Sequence, residues 1–213
     1  MEKETKKNPN KRFFHFFLRV MKLINRNILG ISKAIIFELD LENPSKRRAT
    51  DLNLSFRLAT KKDIEKMDKE HYDYDKKAKK YSLNRLEKGD RCILALYNNK
   101  IIGYMWTMKD AMELTQAKYI SLSKDRAHLY KGYVLNEFRG RRVHQAMYNY
   151  SVEMLKKEGK RFIISVVDTD NTSSLKTKTG SEFKIVGYLV HVRFFGLKYD
   201  YIKKNKLHYL QNQ

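Results

Sequence analysis

The segment Tyr133-Val134-Leu135-Asn136-Glu137-Phe138-Arg139-Gly140-Arg141-Arg142-Val143-His144-Gln145-Ala146-Met147 decides how the rest of the chain is read. Tyr133 to Leu135 is aromatic, β-branched and apolar, the composition of a strand. From Val143 the residues Ala146, Met147, Tyr150, Met154 and Leu155 recur at helical spacing and bury one face. Gly159 stops that helix. A short basic loop joins the two elements. The first turn of a helix leaves amides unpaired and carries partial positive charge, so such a joint is an anion site. Arg139, Arg141 and Arg142 add full charges beside it. A plain joint with solvated arginines fits the same residues.

Outward from this joint, the order of elements is that of an α/β domain. Before it come a strand at Leu54–Leu58, a capping-box start at Thr60-x-x-Asp63, a charged helix ending near Gly89, and two strands around Asn98-Asn99. Residues 127–135 form the strand that feeds the joint. After the joint, Arg161–Asp168 is almost wholly apolar, as a central parallel strand should be. Strands at 183–195 and 197–202 complete the sheet, and residues 110–126 give no clear signal.

Residues 1–53 read as a basic extension and residues 54–213 as the domain proper. Within the extension, Arg12, His15, Arg19, Lys22 and Arg26 form one basic stripe on a helix over residues 11–29, with Phe13, Phe14, Phe17, Val20, Met21, Ile24 and Ile28 on the rest. An anionic membrane surface suits such a helix; packing on the domain or in a homodimer is the alternative. Ala34–Leu41 reads as a strand.

With 42% hydrophobic and 12% aromatic residues, the chain can bury a core and is not disordered throughout. Its formal charge of +21 points to an anionic partner: nucleic acid, anionic lipid or a phosphorylated ligand. The single cysteine, Cys92, excludes an internal disulfide and sits in an apolar run as a core residue. With no evident signal peptide and no apolar run of membrane-spanning length, a cytoplasmic and membrane-peripheral protein is expected.

Val134-x-x-x-Phe138-Arg139-Gly140-Arg141-Arg142-Val143-His144 resembles the acyl-CoA-binding segment of the GNAT acyltransferase superfamily, whose loop reads Q/R-x-x-G-x-G/A. Arg139 fits the first position, while Arg142 and His144 replace the Gly and the Gly or Ala. A second stretch, Asn171-x-x-Ser174 followed by Phe183-x-x-x-Gly187, is similar to a later family motif, with Glu182 where Gly is usual. The resemblance implies a mixed, mostly antiparallel sheet flanked by helices and preceded by the amphipathic helix. It also implies acetyl-CoA or another acyl-CoA as co-substrate, held by Val134, Leu135, Arg139, Gly140, Arg141, Arg142, Val143, His144, Asn171 and Ser174.

The implied reaction is attack of an amine on a thioester, which needs no metal. The acceptor is a small-molecule amine, such as an amino sugar, or a peptide amine. His128 stands at the carboxylate-base position of some relatives, and an imidazole suits proton removal near neutrality; a chemically idle strand histidine is the other reading. Strand alternation would set His128, Tyr130, Gly132 and Val134 on one face. Lys178 takes the place of the family's acidic Tyr. A non-catalytic GNAT-like binding protein is the runner-up reading. A nucleic-acid-binding protein is favoured only by charge, and nucleic acid is not the expected partner.

Overall fold

The computed structural model describes residues 29–42, 50–67, 71, 76–115, 118–180, 182–194 and 197–204. The helix expected over residues 11–29 lies outside them; at Leu29 a strand has already begun. The described strands are β1 (Leu29–Asp40), β2 (Ser55–Leu58), β3 (Arg91–Tyr97), β4 (Lys100–Lys109), β5 (Ala111–Thr115), β6 (Lys118–Ser121), β7 (Arg126–Val134), β8 (Phe162–Asp168), β9 (Lys184–Phe194) and β10 (Leu197–Lys204). The described helices are α1 (Lys61–Lys66), α2 (Lys76–Glu87), α3 (Val143–Lys157) and α4 (Thr172–Thr179).

Eight strands form one sheet in the order β10-β9-β1-β8-β7-β4-β3-β2, and β5 and β6 form a separate hairpin. Within the large sheet β7–β8 is parallel and the other neighbouring pairs are antiparallel. The expected mixed, mostly antiparallel architecture is therefore present. Local signals explain much of it. Thr60 and Asp63 form the reciprocal capping box that starts α1. Asn98 and Asn99 both take positive φ, 49° and 63°, as the tight turn between β3 and β4 requires.

β1 is an interior strand, third from one edge of the sheet, pairing with β8 over Ala34–Asp40 and with β9 over Leu29–Glu38. The stretch 110–126 that gave no sequence signal holds the β5–β6 hairpin. Its Met112 and Leu122 cover one sheet face by packing on Ala34, Ile36, Ile164 and Leu189. On the opposite face α3 sets Val143, Met147, Val152 and Leu155 against Phe37, Ile102, Leu129 and Ile163. Each such buried side chain contributes about 1.5–3 kcal/mol. Cys92 is buried among Leu94, Tyr104 and Trp106, as a core residue.

Candidate active site

β7 and β8 are hydrogen-bonded only where Arg126, Ala127 and His128 face Phe162, Ile163 and Ile164. Beyond that point they diverge, with the Ser165 hydroxyl donating across to the Leu129 carbonyl at 3.1 Å. Between them opens a cleft of about 740 Å³. On its other side β7 stays paired with β4 as far as Val134, but the register shifts between Tyr104 and Trp106. At this bulge Lys131 takes a positive φ of 46°.

The bulge reverses the phase of the strand. Leu129 and Val134, five residues apart, both pack in the α3 core. His128 and Tyr130 stack on each other, centroids 5.1 Å apart, and Tyr130 packs in the other core with Trp106. Unbroken alternation had put His128, Tyr130 and Val134 on one face. The bulge corrects that, because one extra residue flips every side chain after it.

The joint before α3 has the expected form. Gly140 has φ 79° and Arg142 has φ 59°, so the loop keeps a left-handed shape at the position where the family prefers Gly. That conformation costs an L-residue about 1–2 kcal/mol. Arg139 folds back, its Nε donating to the Val134 carbonyl at 3.1 Å. Val134, Arg139, Gly140, Arg142, Val143 and His144 all line the cleft. The His144 ring lies against Gly132, where a Cβ would come within 2.7 Å of Nε2. Two expected members do not line it. Leu135 is buried in the core, its amide donating to the Ile102 carbonyl. Arg141 turns away to an ion pair with Asp51 at 2.9 Å, and its hydrogen bond holds that exposed carboxyl below its usual pKa.

The opposite wall carries the second motif. The Asn171 side chain accepts from the Ser174 amide at 3.1 Å and caps α4, and both residues line the cleft. Lys178 also lines it, its ammonium 3.6 Å from the centroid of the Phe183 ring.

His128 is buried and is not part of the cleft wall, and among the described residues neither ring nitrogen has a hydrogen-bond partner. Burial first, then the charges of Arg85 and Lys178, push its pKa down to about 3. At neutral pH it is an uncharged imidazole with little appetite for a proton.

The cleft-lining Tyr130 belongs to a polar network that sequence reasoning missed. Its hydroxyl donates to Asp90 at 2.6 Å, and Asp90 pairs with buried Arg85 at 3.1 Å. Arg85 also meets Glu113 and Tyr81, and Tyr81 donates to Glu113 at 2.7 Å. Burial and the bond to Asp90 raise the Tyr130 pKa. These residues come from α2, β5, β7 and the turn before β3, so no local motif joins them. Gln145, Tyr148 and Thr177 also line the wall and were likewise not singled out.

Residues 55–177, more than half of the chain, match the family model of the Acetyltransferase (GNAT) family, and the chain belongs to that family. An acetyltransferase of the GNAT family from Colwellia psychrerythraea shares the fold at a TM-score of 0.56 and 12% identity, over 83% of this chain and 62% of its own. A functionally unknown conserved protein from Staphylococcus epidermidis superposes at 0.52 and 12% identity, over 90% and 68%. A Drosophila protein does so at 0.56 and 10% identity, over 85% and 58%. The chain thus spans less than two thirds of the length of the Colwellia and Drosophila proteins. No curated protein sequence matched.

Proposed function

We propose that this protein is a CoA-dependent N-acyltransferase that moves an acetyl group from acetyl-CoA to a primary amine of a small molecule or peptide. The observation that carries this reading is the divergence of β7 from β8, with the anion loop at one end and the bulge within. Arg139, Arg142 and the amides of residues 140–144 suit the pyrophosphate. Asn171 and Ser174 suit the pantetheine arm. Past His128 the β7 edge has no pairing with β8, so its amides can stabilise the oxyanion formed by amine attack. The carbon–sulfur bond then breaks, and the thiolate leaves beside the Lys178 ammonium, which can stabilise or protonate it.

The attacking amine loses a proton. Tyr130 suits a relay of that proton, directly or through water: it takes the proton as it hands its own phenolic hydrogen to the Asp90 carboxylate, which becomes the final acceptor, whereas His128 is a poor base. A non-catalytic acyl-CoA-binding protein is the second reading, favoured by the His144 ring lying against Gly132 at the mouth of the bulge.

Thermal shift with a panel of acyl-CoAs, followed by thiol release with a panel of amines, separates the two readings. A ligand at one hundred times its dissociation constant adds about 2.7 kcal/mol to native stability. A shift with thiol release supports the enzyme, and a shift without it supports the binding protein. No shift at millimolar acyl-CoA would sink both.

A further inference from the structure

We propose that the uncovered face of β1, β9 and β10 is a docking surface for an anionic lipid bilayer. The register brings Ile31, Val192 and Tyr199 into one cross-strand row, and Lys33, Val190 and Tyr201 into the next. Directly opposed residues share a face. Ile31 is 59% exposed, Tyr199 60% and Tyr201 64%. Leu197, opposite Phe194, continues the surface at 57%.

Further along β1 on this same face, Ile35 and Phe37 pass into the core beneath α3. Among the described residues, the face is therefore helix-covered at one end and bare at the other. The reverse side of the same strands is packed against the β5–β6 hairpin. A contiguous exposed apolar patch on one side of an otherwise covered sheet marks an interaction site.

Charge selects the partner. The charged residues in these rows are the lysines Lys33 and Lys203, the latter opposite Tyr188. The carboxylates of the same strands are engaged elsewhere: Asp200 with His191, Glu38 with Arg126, and Asp40 with Arg161. A second copy would bring a like-charged face against this one, in a chain of formal charge +21. An anionic bilayer has the complementary charge. Tyrosine and phenylalanine suit the headgroup layer, lysine stems can lie along it with their ammonium groups outward, and basic residues add attraction to anionic lipid. The chain on either side is basic in sequence, with Arg19, Lys22 and Arg26 ahead of β1 and Lys203, Lys204 and Lys206 from the end of β10 onward.

The test is co-sedimentation of the full-length chain with phosphatidylcholine vesicles, with and without phosphatidylserine. Wild type should bind the phosphatidylserine vesicles and release in high salt. A Leu197→Ser/Tyr199→Ser/Tyr201→Ser variant should bind at least about tenfold more weakly while melting like wild type. Should that variant fold poorly, Lys33→Glu/Lys203→Glu, at exposed sites, should give a comparable loss. Wild-type binding by both variants would overturn the proposal and leave the N-terminal segment as the sole contact. Binding to neutral vesicles alone would overturn it too. So would light scattering that shows a wild-type dimer made monomeric by the triple substitution with vesicle affinity unchanged, since the face would then belong to a second copy.

Discussion

β7 has two neighbours and meets them in opposite ways. Against β4 it is paired almost end to end, whereas against β8 it is paired over three residues and then released. Two glycines report the difference. A Cβ on Gly103, in β4, would lie 2.8 Å from the Tyr133 carbonyl oxygen, a backbone atom that cannot move alone. A Cβ on Gly132 would meet the end of the His144 side chain at 2.7 Å, a group that can swing away. The closed side of the strand is constrained by backbone and the open side by a movable ring. The proposed cofactor cleft lies where pairing has been withdrawn.

Substitutions can break or sharpen this contrast. The largest effect is expected on the closed side. Gly103→Ala should lower unfolding free energy by about 2–3 kcal/mol in urea titrations. A loss within error would mean the β4–β7 contact is looser than its geometry.

His128, behind the point where the strands part, tests the interior between the two sides. Its folded pKa of about 3 lies below the ordinary 6.5, so the unfolded chain binds more protons between those values. Stability should therefore be full above pH 6.5 and decline as pH falls towards 3. Between pH 7 and pH 5 the loss from this group is about 2 kcal/mol. His128→Leu should flatten that part of the pH–stability curve. An unchanged slope would show the ring to be solvated.

On the open side, Gly132→Ala should fold with near-normal stability but push the imidazole into the cleft. Acetyl-CoA affinity measured by calorimetry should fall about tenfold, roughly 1.4 kcal/mol. A fold loss as large as that of Gly103→Ala would erase the distinction between the two sides. The smallest effect is expected at Arg142. Replacement by glycine relieves the left-handed strain but frees the unfolded chain, for a net gain of about 0.5 kcal/mol in melting experiments. A clear loss of stability would show that the Arg142 side chain supports the loop.

What the sequence made legible was local. The strand–loop–helix joint, the Thr60 capping box, the Asn98-Asn99 turn and the Asn171 cap each depend on neighbours within a few residues. The features that escaped depend on distance or on a defect in regularity. The bulge places a lysine, not a glycine, at positive φ, so composition gave no sign of it. Its consequence, the separation of His128 from the Val134 face, could not be read from period-two alternation. The Tyr81–Arg85–Asp90–Glu113–Tyr130 network is assembled by tertiary packing from four parts of the chain. Arg141 looked equivalent to its neighbours until Asp51, ninety positions earlier, drew it away from the cleft.

The placement of β1 sets a timetable for folding. Ala34 pairs with Asp168 on one side and with Leu189 on the other, so an early-made strand waits for partners near the end of the chain. At a synthesis rate of about 5–20 residues per second, that wait is roughly 8–30 s. Until β8 is made, Ile35, Ile36 and Phe37 have neither hydrogen-bonding partner strand. Pairings this distant also slow refolding, because the loop must close before the contacts form. A nascent chain stalled before β8 would hold a completed β2–β3–β4–β7 meander and an orphan apolar strand. That makes β1 the segment for which a ribosome-associated chaperone would have the longest window.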